Sequence, residues 1–241
     1  MRADLNNKVA LVTGGGRGIG QSICLMLARC GAKVVAASRT MSELKRLKDD
    51  VRKLGGEIMV VPTDVSKEKE IERLFRLIEK KFGRLDILVN NAGMGIYGKL
   101  VDFSISDFDK VMAVNLRGAF LCCKHAMKMM ISVKSGYIIN ISSVVGFKGY
   151  PEQSAYTASK HGIMGLTKSL AVEAQEHGIR VSAILPGGVD TKIVRDARPD
   201  LKRSELLSPD DVAQTVEYLL SLSERAAVDQ VYIRRRNSNP F

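Results

Sequence analysis

Short apolar runs alternate with amphipathic segments along the chain. The apolar runs predict strands over 8–13, 32–38, 57–61, 85–89, 137–142, 179–185 and 230–233. Apolar side chains spaced three or four positions apart predict helices at about 21–30, 42–54, 68–82, 106–133, 154–177 and 209–222. Ser42 is the expected cap of the second helix, Gly83 and Gly178 are expected to end the third and fifth helices, and Pro186 to end the sixth strand.

The predicted strands are apolar at consecutive positions rather than at alternate ones. Such strands are covered on both faces, and helices between them make right-handed crossovers between parallel strands. The pattern therefore predicts an α/β fold: a single-domain, doubly wound parallel sheet of about seven strands over residues 1–241, with helices on both faces. Ligands of such sheets bind at the carboxyl ends of the strands, where the strand order reverses.

Composition narrows the class of protein. The chain has 241 residues, of which 45% are hydrophobic and 26% are charged, and these values exclude disordered, collagen-like and disulfide-stapled chains. No apolar run approaches the roughly 18 residues that span a bilayer and no secretory signal is recognisable, so we expect a cytoplasmic protein with no membrane partner. The cysteines and histidines have no zinc spacing, and no metal site is expected.

The formal net charge of +11 is spread over both halves of the chain. The one tight basic cluster is 234–236, close to the end. Because charge runs usually form solvated faces, we expect no nucleic-acid binding. The charge instead favours small anions or acidic partners.

A glycine-rich turn, TGGGRGIG at 13–20, follows the first predicted strand and leads into a helix. Ile19 stands at the third glycine position of a strict G-x-G-x-x-G pattern. Glycines let the backbone approach a pyrophosphate, and the unpaired N–H groups at a helix start attract the anion. A purely structural turn is the alternative. The residues expected to bind a dinucleotide here are Gly14, Arg17, Gly18, Ile19 and Gly20.

The residues after the second predicted strand bear on the choice of cofactor. An acidic residue about 20 positions beyond the glycine turn binds the ribose hydroxyls of NAD. This chain has Ser38 and Arg39 there, and no carboxylate before Glu43. Arg17 and Arg39 can hold a 2′-phosphate by charge-assisted hydrogen bonds. NADP(H) is therefore predicted to be preferred over NAD(H), the alternative being that both arginines are simply solvated.

Tyr156 and Lys160 lie four residues apart in a predicted helix and so share one face. A phenol ionises near pH 10, and a neighbouring ammonium group stabilises its phenolate. Ser143 follows the fifth predicted strand, and its hydroxyl can bind a substrate oxygen beside the phenol. The three side chains indicate proton transfer to or from a substrate oxygen.

Several motifs occur together in an order that is typical of one family. They are the glycine turn, Asn90-Asn91-Ala92-Gly93, Asn115, Ser143, Tyr156-x-x-x-Lys160 and Pro186-Gly187. With these motifs, from about residue 8 to residue 191, the chain resembles the short-chain dehydrogenase/reductase family.

The resemblance implies an NADP-dependent oxidoreductase that transfers hydride between NADPH and a small ketone or aldehyde, or an alcohol in reverse. It implies that Tyr156 is the general acid/base, that Lys160 binds the nicotinamide ribose and lowers the pKa of Tyr156, and that Ser143 orients the substrate oxygen. Asn115 is expected to anchor a water of the proton relay. The further cofactor contacts that it implies are Asp64, Val65, Asn91, Ala92, Gly93, Pro186, Gly187, Val189 and Thr191.

The last quarter of the chain departs from the common family pattern. Segment 191–209 is short and charged where many relatives carry a longer apolar lid, so the expected substrate loop at about 188–208 predicts an open pocket. The tail at 228–234 lacks the glycine-rich ending of acyl-carrier reductases. Three alternatives stay open: reduction of a 3-oxoacyl group on an acidic carrier protein docked near Lys134 and Lys148, an NADP sensor without turnover, and a nucleic-acid binder.

The resemblance also implies a homo-oligomer, a dimer or tetramer, in which the helices near 106–133 and 154–177 pair between copies. Apolar positions on these helices are compatible with such an interface, but packing against the sheet explains them equally well. They are Val114, Phe120, Met127, Ile163, Leu166 and Leu170.

Overall fold

The structure is a computed structural model that describes residues 3–197 and 201–239. Its strands are β1 (Val9–Thr13), β2 (Lys33–Ser38), β3 (Ile58–Pro62), β4 (Ile87–Asn90), β5 (Gly136–Ile141), β6 (Ile179–Pro186) and β7 (Gln230–Ile233). Its helices are α1 (Gly18–Arg29), α2 (Met41–Lys53), α3 (Glu68–Phe82), α4 (Ile105–Met112), α5 (Gly118–Val133), α6 (Ser154–Gln175), α7 (Lys192–Ala197) and α8 (Pro209–Ser221). Every predicted strand and helix is present.

The strands form one sheet in the order β3-β2-β1-β4-β5-β6-β7, and all neighbouring strands are parallel. From β1 the chain moves outward through β2 and β3, then crosses back to lay β4 on the other side of β1. The strand order therefore reverses between β1 and β4, which is where such a sheet binds its ligand. The predicted doubly wound parallel sheet is confirmed.

Apolar clusters cover both faces of this sheet. Val12 of β1 packs in one cluster with Leu27 of α1 and Leu219 of α8. Its neighbour Leu11 packs in the other cluster with Leu74 of α3. Because successive side chains of a strand point to opposite faces, consecutive apolar residues need helices on both sides. This is the arrangement that the unbroken apolar runs predicted.

Several boundaries differ from the sequence pattern. The helix α2 begins at Met41 after Thr40, so the prediction that Ser42 caps it was wrong. The helix α6 ends at Gln175, two residues before the predicted end. Pro186 is the last residue of β6 rather than the residue that stops it, and the next residue, Gly187, continues the pairing with β7 by donating its N–H to the carbonyl of Ile233 at 2.7 Å.

Two features of the helices were not predicted. The long helix expected at 106–133 contains a π-helical turn, Ala113–Arg117, between α4 and α5. Such turns insert one residue into the helical repeat and often lie at functional sites. The short helix α7 lies in the charged segment after β6. Residues 198–200 of the predicted substrate loop lie outside the described residues.

The described residues also bear on membranes and metals. Within 3–197 and 201–239, no helix combines the length and the apolar character needed to cross a bilayer. The same residues contain no group of three or more histidine, cysteine, aspartate or glutamate side chains placed to hold a metal ion. The four cysteines are buried as free thiols.

Candidate active site

A cleft of about 1120 Å³ lies along the carboxyl edge of the sheet. Its walls are formed by the residues that follow each of the seven strands and by the beginning of α6. Most small-molecule pockets occupy about 300–1,000 Å³. The cleft therefore has room for a dinucleotide and a small substrate together.

The cleft brings together nearly all of the residues that the sequence singled out. Those that line it are Gly14, Arg17, Gly18, Ile19, Ser38, Arg39, Asp64, Val65, Asn91, Ala92, Gly93, Ser143, Tyr156, Lys160, Pro186, Gly187, Val189 and Thr191. Gly20 and Asn115 do not line it and lie directly behind its wall.

The glycine turn is shaped by close backbone packing. Gly14 and Gly18 have positive φ angles of 65° and 55°, a conformation that disfavours other residues. A Cβ atom on Gly20 would lie 2.2 Å from the carbonyl oxygen of Gly14. Gly20 thus acts by letting α1 pack against the turn. In the described chain no side chain caps the start of α1, so its first N–H groups and its dipole are available to an anion.

Thr13 and Asn91 fix the end of β1 to the end of β4. The Thr13 hydroxyl accepts hydrogen bonds from the N–H groups of Asn91 and Ala92, both at 3.1 Å. In return, the Asn91 amide donates to the carbonyls of Thr13 at 3.0 Å and Gly14 at 3.2 Å. Asn91 therefore supports the glycine turn as well as forming the wall of the cleft.

Asn115 lies in the π-helical turn and clamps the loop after β4. Its Oδ1 accepts from the N–H of Met94 at 2.8 Å, and its Nδ2 donates to the carbonyl of Met94 at 2.9 Å and to Ser159 Oγ at 3.0 Å. Gly93 lies next to this side chain, since a Cβ atom added to Gly93 would lie 3.6 Å from Asn115 Oδ1. The asparagine thus holds the cleft wall against α6 from behind.

Ser143, Tyr156 and Lys160 meet at the end of β5. Ser143 lies two residues beyond the end of this strand. Its hydroxyl is hydrogen-bonded to Tyr156. The Lys160 ammonium group donates to the carbonyl of Ile141 at 2.9 Å and lies 5.8 Å from the centre of the Tyr156 ring. Tyr156 and Lys160 occupy adjacent turns of α6, as their spacing predicted.

Comparison with known proteins shows the family. The family model described as short chain dehydrogenase matches residues 8–202. An uncharacterized oxidoreductase of Staphylococcus aureus (strain MRSA252) is 34% identical over 230 residues, which cover 95% of this chain and 98% of that protein.

The chain belongs to the short-chain dehydrogenase family.

Solved structures of family members are closely similar to this short-chain dehydrogenase. A metagenomic short-chain oxidoreductase in complex with NADP is 33% identical, with a TM-score of 0.87, and the match covers 98% of this chain and all of that one (100%). An alcohol dehydrogenase of the archaeon Thermococcus sibiricus, complexed with 5-hydroxy-NADP, is 28% identical, with a TM-score of 0.90, over 97% of this chain and 99% of that one.

Burial acts on the two ionisable groups of the dehydrogenase in opposite directions. It raises the pKa of Tyr156 to about 12, which the hydrogen bond with Ser143 offsets only in part. It lowers the pKa of Lys160 to about 8. Without a bound ligand, the pKa of the phenol is therefore higher than its ordinary value, contrary to the expected lowering by Lys160. The physical reason is that desolvation penalises the phenolate, while the ammonium group is directed at the carbonyl of Ile141.

Glu43 is a carboxylate in the cleft that the sequence did not place there. Its Oε1 pairs with Arg17 Nη1 at 3.1 Å, and the Glu43 side chain is only 14% exposed against 60% for that of Arg17. A Cβ on Gly16 would lie 3.1 Å from both Glu43 Oε2 and Ser38 Oγ. The sequence signal that could have indicated this role is the position of Glu43 in the first turn of α2, directly after β2.

Asp64 is held by its own turn after β3. Burial favours its neutral form, but hydrogen bonds from Ser66 and the charges of Arg39 and Lys67 outweigh this effect, so the pKa of Asp64 lies below its usual value. The N–H and hydroxyl groups of Ser66 donate to Asp64 Oδ1 at 3.0 Å and 2.8 Å. Asp64 is therefore an ionised hydrogen-bond acceptor at the rim of the cleft.

The sequence analysis did not predict some other residues that line the cleft, and it placed one residue there wrongly. Tyr97 makes an edge contact with Tyr156, with ring centres 5.9 Å apart, and the only signal for it was its position in the loop after β4. Arg235 reaches the cleft because β7 ends at the same edge as β6. Lys148 lines the cleft, but Lys134 does not: it ends α5 just before β5 begins and so lies at the opposite, amino edge of the sheet.

Proposed function

We propose that this short-chain dehydrogenase is an NADP(H)-dependent oxidoreductase that reduces a small ketone or aldehyde, or oxidises an alcohol in the reverse direction. The observation that carries the proposal is a half-buried Tyr156, hydrogen-bonded to Ser143 and adjacent to Lys160, inside a cleft that admits a dinucleotide. A solved relative named as an alcohol dehydrogenase supports the same chemistry.

The cleft offers a fit for two parts of the cofactor. The uncapped start of α1 would hold the pyrophosphate, and Arg17 and Arg39 would hold the 2′-phosphate of NADP. Relatives solved with NADP and 5-hydroxy-NADP support this choice. The other proposed contacts are Gly14, Gly18, Ile19, Gly20, Ser38, Asp64, Val65, Asn91, Ala92, Gly93, Tyr156, Lys160, Pro186, Gly187, Val189 and Thr191.

In this proposal, Tyr156 and Ser143 have different roles at the substrate oxygen. The nicotinamide supplies or accepts the hydride when the cofactor is bound. Tyr156 holds the proton on its phenolic oxygen and donates it to the carbonyl oxygen, and Ser143 orients that oxygen. Hydrogen bonds from both hydroxyls would stabilise the developing alkoxide by up to about 3 kcal/mol in a site that excludes water.

Lys160 and Asn115 would act around this centre. Lys160 would bind the nicotinamide ribose and supply the positive charge of the site. Asn115 would hold the wall at Gly93 and keep a proton-relay water in place through the π-helical turn. With its raised pKa, Tyr156 holds its proton at neutral pH, and this is the proton that carbonyl reduction would use.

The proposal extends to assembly and location. Homo-oligomerisation through the paired long helices and a cytoplasmic location are expected, and the substrate loop is proposed to lie at about 188–208 within a single domain.

The test is to mix the purified protein with NADPH or NADH and a panel of small aldehydes and ketones, and to follow the absorbance of the reduced nicotinamide. We expect consumption of NADPH with at least one carbonyl compound, and a higher kcat/KM with NADPH than with NADH. Consumption of neither coenzyme across the panel would contradict the oxidoreductase function. A preference for NADH would contradict the cofactor assignment alone.

A further inference from the structure

We propose that the substrate end of the cleft binds a carbonyl compound that carries an anionic group, a carboxylate or a phosphate, and that Arg235 recognises this group. The inference rests on the proposed oxidoreductase function and adds the chemical class of the substrate to it.

The sheet brings the end of the chain to the site. The strand β7 pairs with β6 in parallel, with Ile233 opposite Pro186, so both strands end at the carboxyl edge. The N–H of Gly187 donates to the carbonyl of Ile233 at 2.7 Å, which ties the two ends together. The residues that follow β7 therefore lie beside the residues that follow β6, and Arg235 lines the cleft.

The two glycines after β6 lie beside the arginines after β7. A Cβ on Gly187 would lie 3.4 Å from the Cα of Arg234. A Cβ on Gly188 would lie 3.5 Å from Cδ and 3.7 Å from Nε of Arg235. The side chain of Arg235 thus lies over the bare backbone of Gly188.

The segment that carries Arg235 is a hydrogen-bonded turn. The guanidinium group of Arg234 donates to the carbonyls of Arg235 at 3.2 Å and Arg236 at 3.3 Å, and also to that of Ser238. The N–H and hydroxyl groups of Ser238 donate back to the carbonyl of Arg235 at 3.1 Å and 2.9 Å. Arg234 therefore holds the turn, and the half-buried Arg235 presents its side chain to the cleft.

Among the described residues, the carboxylate nearest in sequence to this part of the cleft wall is already paired with other arginines. Asp190 is already paired with both Arg195 and Arg203, each at 2.7 Å. Arg235 forms no ion pair with any acidic side chain of the part of the chain that the structure describes. A guanidinium group binds a carboxylate or a phosphate through two parallel hydrogen bonds, so a half-buried one at a substrate site selects for such groups.

The test uses two pairs of aldehydes that differ in one anionic group. They are 4-formylbenzoate with its methyl ester, and glyceraldehyde 3-phosphate with glyceraldehyde. In at least one pair, we expect the kcat/KM of the wild-type protein to be about tenfold or more higher for the anionic aldehyde than for the uncharged one, chiefly because its KM is lower. The pair that shows this preference identifies the recognised group as a carboxylate or a phosphate. In Arg235→Gln the ratio of kcat/KM for the anionic aldehyde to that for the uncharged aldehyde should fall close to one.

Arg236→Gln is the matched control, because Arg236 is adjacent, exposed and carries the same charge. It should keep the wild-type ratio, and the NADPH dissociation constant, measured by fluorescence titration, should be unchanged in both variants. A wild-type ratio near one in both pairs would overturn the inference. So would an equal loss in Arg236→Gln, or a tenfold weaker NADPH affinity in Arg235→Gln, which would assign Arg235 to the cofactor.

Calorimetric titration of the cofactor-free protein with 4-formylbenzoate and glyceraldehyde 3-phosphate separates this inference from the proposed function. If no aldehyde is reduced, the function fails. In that case the inference is upheld if one of the two anionic aldehydes binds to the wild-type protein and to Arg236→Gln but not to Arg235→Gln. It is overturned if no such binding is measured.

Discussion

Tyr156 and Lys160 show how one buried environment sets two protonation states. Burial penalises the charged form of each group, so the phenol keeps its proton while the ammonium group loses its proton more readily. At neutral pH the site therefore contains a protonated phenol beside a lysine that is close to its titration point. The charge of Lys160, rather than that of Tyr156, is the one that changes within the working pH range.

This difference predicts the pH dependence of carbonyl reduction. The lowered pKa of Lys160 means that its ammonium form is complete well below pH 8 and is lost as the pH rises through about 8. We expect kcat/KM to be constant near neutrality and to fall by about tenfold per pH unit above that point. Initial rates of NADPH oxidation over a pH series measure this. Lys160→Arg, which keeps its charge, should move the fall to higher pH, and a wild-type profile flat to about pH 10 would contradict the assignment.

Glu43 is predicted to weaken the binding of NADP. Its carboxylate pairs with Arg17, the guanidinium group proposed to hold the 2′-phosphate. Glu43→Gln removes the competing charge and should tighten NADPH binding by about three- to fivefold while leaving NADH binding unchanged. Fluorescence titration of both coenzymes measures this. Glu68→Gln is the control, because Glu68 pairs with Arg117 outside the cleft. Equal tightening of both coenzymes would contradict the 2′-phosphate site.

At the scale of elements, the chain's periodicity predicted the strands and most helices because each buries a continuous apolar face. The short helix α7 was missed because its six residues are too few to show a period and are largely charged. The π-helical turn that carries Asn115 was missed because one inserted residue barely disturbs the apolar pattern. Ser42 was chosen as a cap by residue type, whereas the path of the chain out of β2 starts α2 one residue earlier.

The cleft was predicted as far as its residues follow strands in recognisable motifs. Glu43, Tyr97 and Arg235 lie in no such motif and reach the site only because the sheet gathers distant segments at one edge. The pKa of Lys160 could not be predicted either, since it depends on how deeply α6 buries the side chain. Topology and burial thus supply what spacing along the chain does not.

The junction between the glycine turn and α1 is predicted to tolerate no side chain at Gly20. In Gly20→Ala the new Cβ would meet the carbonyl of Gly14, so we expect a loss of about 1–3 kcal/mol in the free energy of unfolding and a loss of NADPH binding. Gly165→Ala is the control, because a Cβ there would meet no atom within 4 Å in α6 and adds helix propensity. Chemical denaturation and fluorescence titration measure both effects. Wild-type stability and affinity in Gly20→Ala would contradict this packing.

At the scale of the whole molecule, the long helices still expose apolar side chains. Ile163 and Leu170, which were candidates for an interface between copies, are buried, and Leu170 packs in the cluster against the sheet. Phe120 on α5 is 53% exposed and Val172 on α6 is 73% exposed. Exposed apolar side chains on these two helices are what a paired-helix interface would cover.

We therefore expect the protein to elute as a dimer or tetramer in size-exclusion chromatography with light scattering. Val172→Asp should lower the measured mass towards that of one chain, because the new charge would be buried in the interface. Leu54→Asp is the control, since Leu54 is an exposed apolar residue at the end of α2, away from both helices. A monomeric wild-type protein, or an equal effect of both variants, would contradict this assembly.

The measurement that tests the central claim most directly compares Tyr156→Phe with the wild-type protein in NADPH-dependent reduction of one carbonyl substrate and in NADPH binding. The substitution removes the proton donor but keeps the aromatic ring. We predict a fall in kcat of at least about 100-fold, with an NADPH dissociation constant within about twofold of the wild-type value. Turnover close to that of the wild-type protein would contradict the role of Tyr156 as the acid, and with it the proposed reaction.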